Sequence, residues 1–172
     1  MARNVEIKAR ASDPAVIQRR VEALGALAVG ELTQTDTFFN ATDRRLKLRE
    51  FGDGTAELIS YVRDDQCGPK LSNYLVMIVS DPDRLRSVLA HTLGVRGVVR
   101  KRRTLLLLGQ TRIHLDEVEG LGTFIELEVV LRDDQPDSEG ERVARDLLEK
   151  LAIPPSDLVA RAYIDLVEDA VY

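Results

Sequence analysis

The sequence predicts an α+β fold: eight antiparallel strands forming one sheet, with amphipathic helices packed outside it. Three observations predict this. Segment after segment alternates charged and apolar residues, the period of an extended chain whose successive side chains point to opposite faces. Eight such segments are separated by stretches rich in Gly, Asp and Pro. Four apolar stripes of helical period interrupt them. A chain of 172 residues holds one sizeable core and little more.

The opening NVEIKAR sets Glu6, Lys8 and Arg10 against Val5, Ile7 and Ala9, a strand at about 4–10. Ser12-Asp13-Pro14 is a helix start, a cap followed by Pro in the first turn. Ile17, Val21 and Leu24 share its apolar face and Gly25 ends it. Strands follow at about 31–39, 45–51, 56–63 and 72–80. RLKLRE alternates Arg45, Lys47 and Arg49 with Leu46 and Leu48, and Arg63 closes ELISYVR. Ser80-Asp81-Pro82 opens a second helix, with Leu85, Val88, Leu89 and Leu93 as its stripe and Gly94 as its end. In the strand at about 96–108, Lys101 and Arg103 share one face and Arg100 and Arg102 the other. Arg112, His114 and Asp116 share a face at about 111–117. Glu126 and Glu128 stand against Ile125, Leu127 and Val129 at about 122–131. Ser138 and Glu141 have capping-box spacing ahead of Val143, Leu147, Leu148 and Leu151. After Pro154-Pro155 a last helix is expected to carry Leu158, Ala162, Tyr163 and Leu166. The strand–SDP–helix–LG–strand unit occurs twice, which suggests two related halves.

Composition sets limits. The net charge of −5 opposes broad binding to nucleic-acid phosphates. Cys67 is alone, which excludes an internal disulfide and a cysteine zinc site. No apolar run is long enough to span a membrane, and no secretory leader is expected. A cytoplasmic setting fits all of this. His91 is read as a surface residue and Cys67 as incidental.

Two arrangements satisfy the strand pattern. A half-buried sheet turns its polar side to water. Alternatively, eight strands close a barrel with a filled or ligand-sized interior, and the helices cover its apolar outside. Charge segregated by strand argues for the second, since a solvated face mixes signs. Buried charges cost several kcal/mol each unless compensated. In one lumen Lys8, Lys47, Arg49, Arg63, Lys101, Arg103 and Arg112 outnumber Glu6, Asp116, Glu126 and Glu128. A multiply charged anion fits that excess. The carboxylates fit Mg²⁺, which takes oxygen ligands and commonly shares them with substrate phosphates. Cations facing metal carboxylates suit a polyphosphate.

VEIKAR, QTDTFFN, LKLRE, YVRDDQCGPK, KRRTLLLLGQTRIHLDEVEGLGTFIELEVV and DLVARAYIDLV resemble, in order and spacing, the CYTH superfamily. It joins class IV (CyaB-type) adenylate cyclases and thiamine triphosphatases, and its fold is also called the triphosphate tunnel metalloenzyme fold. The resemblance implies one CYTH-like domain over 1–172, an eight-stranded antiparallel barrel with a charged lumen, and a need for Mg²⁺ or Mn²⁺. It implies that Lys8, Lys47, Arg49, Arg63, Lys101, Arg103 and Arg112 hold phosphate oxygens. Lys8, Arg63 and Lys70 are the catalytic candidates, Lys70 reaching the substrate from a mobile loop. Asp116, Glu126 and Glu128 are the implied metal ligands, with Glu6 contributing to metal or to charge balance. One departure stands out. The family opens Glu-x-Glu-x-Lys, and Asn4 occupies the first Glu position here. Asn offers a carbonyl oxygen but no charge, so either a second metal site is weakened or the position serves charge balance alone.

Two reactions fit one site. In a cyclase, the ribose 3′-hydroxyl of ATP attacks the α-phosphorus and pyrophosphate leaves. In a triphosphatase acting on tripolyphosphate, thiamine triphosphate or a nucleoside triphosphate, water attacks the terminal phosphorus. A third reading is a non-catalytic polyphosphate- or nucleotide-binding module, with Asn4 marking lost activity. Hydrolysis at an RNA 5′ end is disfavoured by the acidic charge. The expected partner is a small-molecule triphosphate, with neither membrane nor nucleic acid, and pairing of two copies through outer surfaces stays open. No Trp is present, and Tyr61, Tyr74 and Tyr163 are read as core residues, so no aromatic platform for a ring stands out. His114 is read as a structural hydrogen-bonding group rather than a general base.

Overall fold

The computed structural model describes residues 2–170. Its strands are β1 (Ala2–Arg10), β2 (Leu27–Phe39), β3 (Arg45–Phe51), β4 (Ala56–Arg63), β5 (Lys70–Ile78), β6 (Val95–Leu108), β7 (Thr111–Val118) and β8 (Gly122–Val130). They form a closed antiparallel barrel in the order β1-β5-β4-β3-β2-β6-β7-β8. Helices α1 (Pro14–Ala23), α2 (Pro82–Leu93), α3 (Asp137–Lys150) and α4 (Tyr163–Ala170) complete the fold. None of them is long and apolar enough to cross a membrane.

Strand parity decides which face is inside. Val5, Ile7 and Ala9 point outward with Ile113, Leu115, Ile125, Leu127 and Val129, and all are buried beneath α1 and α3. Each such aliphatic side chain contributes roughly 1.5–3 kcal/mol when fully buried. That gain turns the intervening charged residues into the lumen. On the other side, α2 lays Leu85, Leu89 and Ala90 over Phe39, Leu48 and Ala56. Tyr163 and Ile164 of α4, with Ala162 before it, pack against Phe38, Val99 and Phe124 and cover one end of the barrel.

The repeated sequence unit has a topological counterpart. Exchanging β1–β4 for β5–β8 returns the same circular order. Each half lends its first strand to the other: β5 lies beside β4, and β1 beside β8. The two SDP starts cap alike, Asp13 Oδ1 accepting from Val16 N at 3.0 Å and Asp81 Oδ1 from Arg84 N at 3.1 Å.

Four expectations are corrected. Val88 is 54% exposed and lies outside the α2 contact face. The Ser138–Glu141 capping box does not form, because α3 begins a residue early at Asp137, which Arg3 Nη1 holds at 2.7 Å. The last helix starts at Tyr163, not after Pro155. Leu158 instead bridges Ala9 in extended conformation and Val159 N donates to Lys8 O at 2.9 Å. Asp165 then caps α4 by accepting from Ala162 N at 2.9 Å. Finally, β2 starts at Leu27 because it continues to pair with β6 as far as Leu107, with Gly30 at φ +154° where the register shifts.

Gly140 of α3 sits on β1. A Cβ there would lie 2.7 Å from Leu131 Cδ2 and 2.8 Å from Cγ2 of the buried, β-branched Val5. Gly140→Ala gains about 1 kcal/mol of helix propensity but incurs about 1–3 kcal/mol of overpacking. A lower urea midpoint is expected; a higher one would show that α3 and β1 pack more loosely than this.

Candidate active site

The inward-facing residues of all eight strands contribute to the barrel interior, and they enclose a cavity of about 410 Å³. Small-molecule sites begin at about 300 Å³. The covered end is polar. Lys8 Nζ donates to Arg161 O at 3.1 Å, lies 3.7 Å from the Tyr163 ring centroid and 3.4 Å from Glu126. Lys70 Nζ donates to Ala160 O at 2.8 Å and Val159 O at 3.3 Å. Lys70 is therefore not on a loop. It opens β5 opposite Glu6, and it lies behind the cavity wall, held by the end segment.

Two carboxylates organise the cations. Asp36 is 2% exposed and accepts from Lys47 Nζ at 2.9 Å, Arg49 Nε at 2.7 Å and Lys101 Nζ at 3.3 Å. Burial alone would raise its pKa; Arg49, Lys101 and Lys47 overcome that and hold it well below the usual carboxylate range. Asp116 accepts both arms of Arg103 at 2.6 Å and the Tyr163 hydroxyl at 2.9 Å. Arg103 also donates to Glu126 at 2.6 Å. Arg63 pairs with Glu6 at 2.5 Å and Arg112 with Glu128 at 2.9 Å. Burial, with Arg103 and Arg49 adding, pushes the Lys101 ammonium down to about 7 against the pull of Asp36.

All seven expected phosphate-binding cations line one cavity. Of the four expected metal ligands, Glu6, Glu126 and Glu128 line it too, whereas Asp116 stands behind Arg103 with both oxygens engaged. His114, Glu126 and Glu128 bring one donor atom each to within 4.8 Å of one another. That donor set fits a divalent ion. His114 is not hydrogen-bonded at Nδ1 as expected; Nδ1, Asn4 Oδ1 and Gln34 Oε1 are all buried without partners. Tyr74 faces the cavity rather than a core, whereas Tyr61 and Tyr163 line the cavity and also pack in the Phe38–Phe124 cluster. Leu32, Phe51, Tyr74, Val76 and Leu105 make an apolar arc toward the uncovered end. Asp36, Gln34 and Phe51 went unnoticed in the sequence. The alternation of QTDTFF would have turned Gln34 and Asp36 inward once its parity was fixed.

The CYTH domain family matches residues 2–163. "Putative adenylate cyclase MJ0240" of Methanocaldococcus jannaschii is 25% identical, across 94% of this chain and 97% of its own. Adenylate cyclase CyaB of Aeromonas hydrophila is 30% identical over 60% of this chain, which spans 54% of that protein. The structure of PH1012 protein from Pyrococcus horikoshii OT3 superposes with a TM-score of 0.84 at 25% identity, covering 95% of this chain and 98% of that one.

Asp36→Asn removes the shared anchor of three cations, Lys101 buried and Lys47 and Arg49 half-buried. A loss of about 3 kcal/mol is expected in urea unfolding, at the low end for an unpaired buried charge because two of the cations are lysines that can shed protons. Inorganic tripolyphosphate should raise the melting temperature of the variant more than that of the parent, by supplying the missing negative charge. Unchanged stability would show that Asp36 is not the anchor.

Proposed function

The chain belongs to the CYTH domain family, and on that premise we propose that it is a divalent-metal-dependent enzyme that binds a triphosphate compound in its lumen and cleaves one phosphoanhydride bond. One observation carries this reading. Seven cationic side chains and five carboxylates line one cavity, in a chain whose net charge is −5. A positive interior within an acidic protein selects a compact polyanion.

The residues divide the work by position. Lys47, Arg49 and Lys101 share one carboxylate, so each keeps donors for phosphate oxygens. Lys8, Arg63, Arg103 and Arg112 line the same lumen from β1, β4, β6 and β7 and spread the charge that develops on the transferring or leaving phosphate. Lys70 positions the covered end rather than touching substrate. Glu126 and Glu128 would hold the Mg²⁺ or Mn²⁺ ion, which supplies charge neutralisation and polarises the phosphorus under attack. In cyclisation the ribose 3′ oxygen bonds to the α-phosphorus, its proton is lost and pyrophosphate leaves. In hydrolysis a water oxygen bonds to the terminal phosphorus, the bridging P–O bond to the next phosphorus breaks, the diphosphate compound leaves, the water proton passes to solvent and orthophosphate is the product. The apolar arc with Phe51 and Tyr74 supports a triphosphate carrying a ring, a nucleoside or thiamine compound, over the inorganic chain. Asn4, a neutral acceptor at a carboxylate position, favours the second reading of a binding module.

A product assay separates these. ATP, thiamine triphosphate and tripolyphosphate are offered with Mg²⁺ and with Mn²⁺. Cyclic AMP with pyrophosphate makes the protein a cyclase; orthophosphate without cyclic nucleotide makes it a triphosphatase. Thermal protection by tripolyphosphate without any product leaves the binding module.

Affinity should also depend on pH. The free Lys101 ammonium titrates at about 7, and a bound polyanion favours its charged form and raises that value. Between the two values binding takes up a proton, so affinity falls as pH rises. The tripolyphosphate Kd is expected to increase by up to about tenfold per pH unit as pH rises above about 7. Lys101→Arg, permanently charged, should flatten the profile. A flat wild-type profile would remove Lys101 from the phosphate contacts.

A further inference from the structure

His114 carries chemistry that the proposed reaction does not use. It faces the lumen from β7, directly opposite Glu126 of β8, with Glu128 next along the same face. Its side chain is 6% exposed. Nδ1 stands 3.6 Å from Glu128 Oε1 and 3.9 Å from Glu126 Oε2, with no hydrogen-bond partner of its own. A buried imidazole beside two half-buried carboxylates would ordinarily close a short bond to one of them, and an unmade bond at a buried group costs about 1–3 kcal/mol. Here all three donors stop short of one another. The gap between them is the arrangement a single cation would bridge.

We propose that His114 Nδ1 is a third protein ligand beside Glu126 and Glu128, and that it makes this site take Mn²⁺ in preference to Mg²⁺. The inference rests on the reading of the lumen as a metal-assisted triphosphate site. Its chemistry follows from the donors. Mg²⁺ demands oxygen ligands and gives up water reluctantly; an imidazole in the set moves preference away from it toward first-row transition ions, and of these Mn²⁺ is the one that also suits carboxylate and water ligands. Asn4, on the neighbouring strand β1, brings a neutral amide to the lumen with its Oδ1 unpartnered, and adds no charge to the carboxylates there. Arg112 fixes Glu128 through Oε2 and leaves Oε1 toward His114. Arg103 holds Glu126 through Oε2, the oxygen nearest His114, and Lys8 lies 3.4 Å from Oε1, so a cation there would share Glu126 with both. Such outer partners orient metal carboxylates.

The test needs no substrate. Mn²⁺ is titrated into the purified protein and followed by loss of the free-ion EPR signal, and the bound ion is examined by pulsed EPR for nitrogen coupling. Wild type should bind Mn²⁺ with a ¹⁴N coupling that changes to ¹⁵N on histidine labelling. The coupling should vanish in His114→Gln and persist in His91→Gln, since His91 lies on the exposed side of α2. Mg²⁺ should displace Mn²⁺ only at more than about tenfold higher concentration. Bound Mn²⁺ without nitrogen coupling, displacement at equal Mg²⁺, or no bound Mn²⁺ would each overturn the proposal. Turnover of a triphosphate with Mg²⁺, measured in parallel, reports on the enzyme reading independently: it survives a failed nitrogen signal, and its own failure leaves that signal intact.

Discussion

Everything in this molecule follows from neutralising charge inside a small closed space. Eight strands with an apolar outer face commit their alternate residues to the interior, and those residues are charged. Water cannot solvate so many ions there as it does at a surface. The chain answers with shared counter-ions: one Asp36 for three cations, one Arg103 for two carboxylates. Sharing is the important choice. One-to-one pairing would spend every donor, whereas shared partners hold cations in place with donors to spare. A binding site for a polyanion is thus the by-product of incomplete compensation.

The covered end obeys the same rule by a different device. Lys8 and Lys70 find backbone carbonyls of the segment leading into α4, and Lys8 also lies over the Tyr163 ring. Carbonyl oxygens stabilise an ammonium without adding formal negative charge, so the positive excess of the lumen is kept. Tyr163 ties the same segment to Asp116. The end segment and the charge network therefore stand or fall together.

Much of this was written plainly in the sequence. Period-2 alternation located all eight strands, and the two SDP starts located two helices, because both signals are local. Alternation alone leaves open which face is inside; the segregation of charge by strand points to the charged one, and burial of the apolar outer face in the closed sheet makes it so. Non-local geometry also explains what was missed. Lys70 looked like a loop residue because RDDQCGPK is full of breakers, yet pairing with β1 draws it into the sheet. Asp116 shared parity with His114 and so looked equally available, but Arg103 claims it from the neighbouring strand. The end of the chain misled because Leu158 and Ala162 have helical spacing, while the bridge to Ala9 holds that stretch extended. Asp36 was passed over because its importance lies in three partners on two other strands.

The lending of first strands between halves has a consequence for how the chain reaches this state. β1, with Glu6 and Lys8, precedes every other described strand, yet its neighbours are β5 and β8. Its partner residues on β8 lie more than a hundred positions downstream. Such contacts carry a loop-closure cost that local hairpins avoid, and they slow folding. The hairpins β3–β4 and β6–β7–β8 can form as they emerge, but the seam that brings Lys8 to Glu126 closes only when the last strand is in place. Assembly of the lumen and completion of the barrel are one kinetic event: β1 can pair with β5 earlier, but its second edge stays open until β8 arrives.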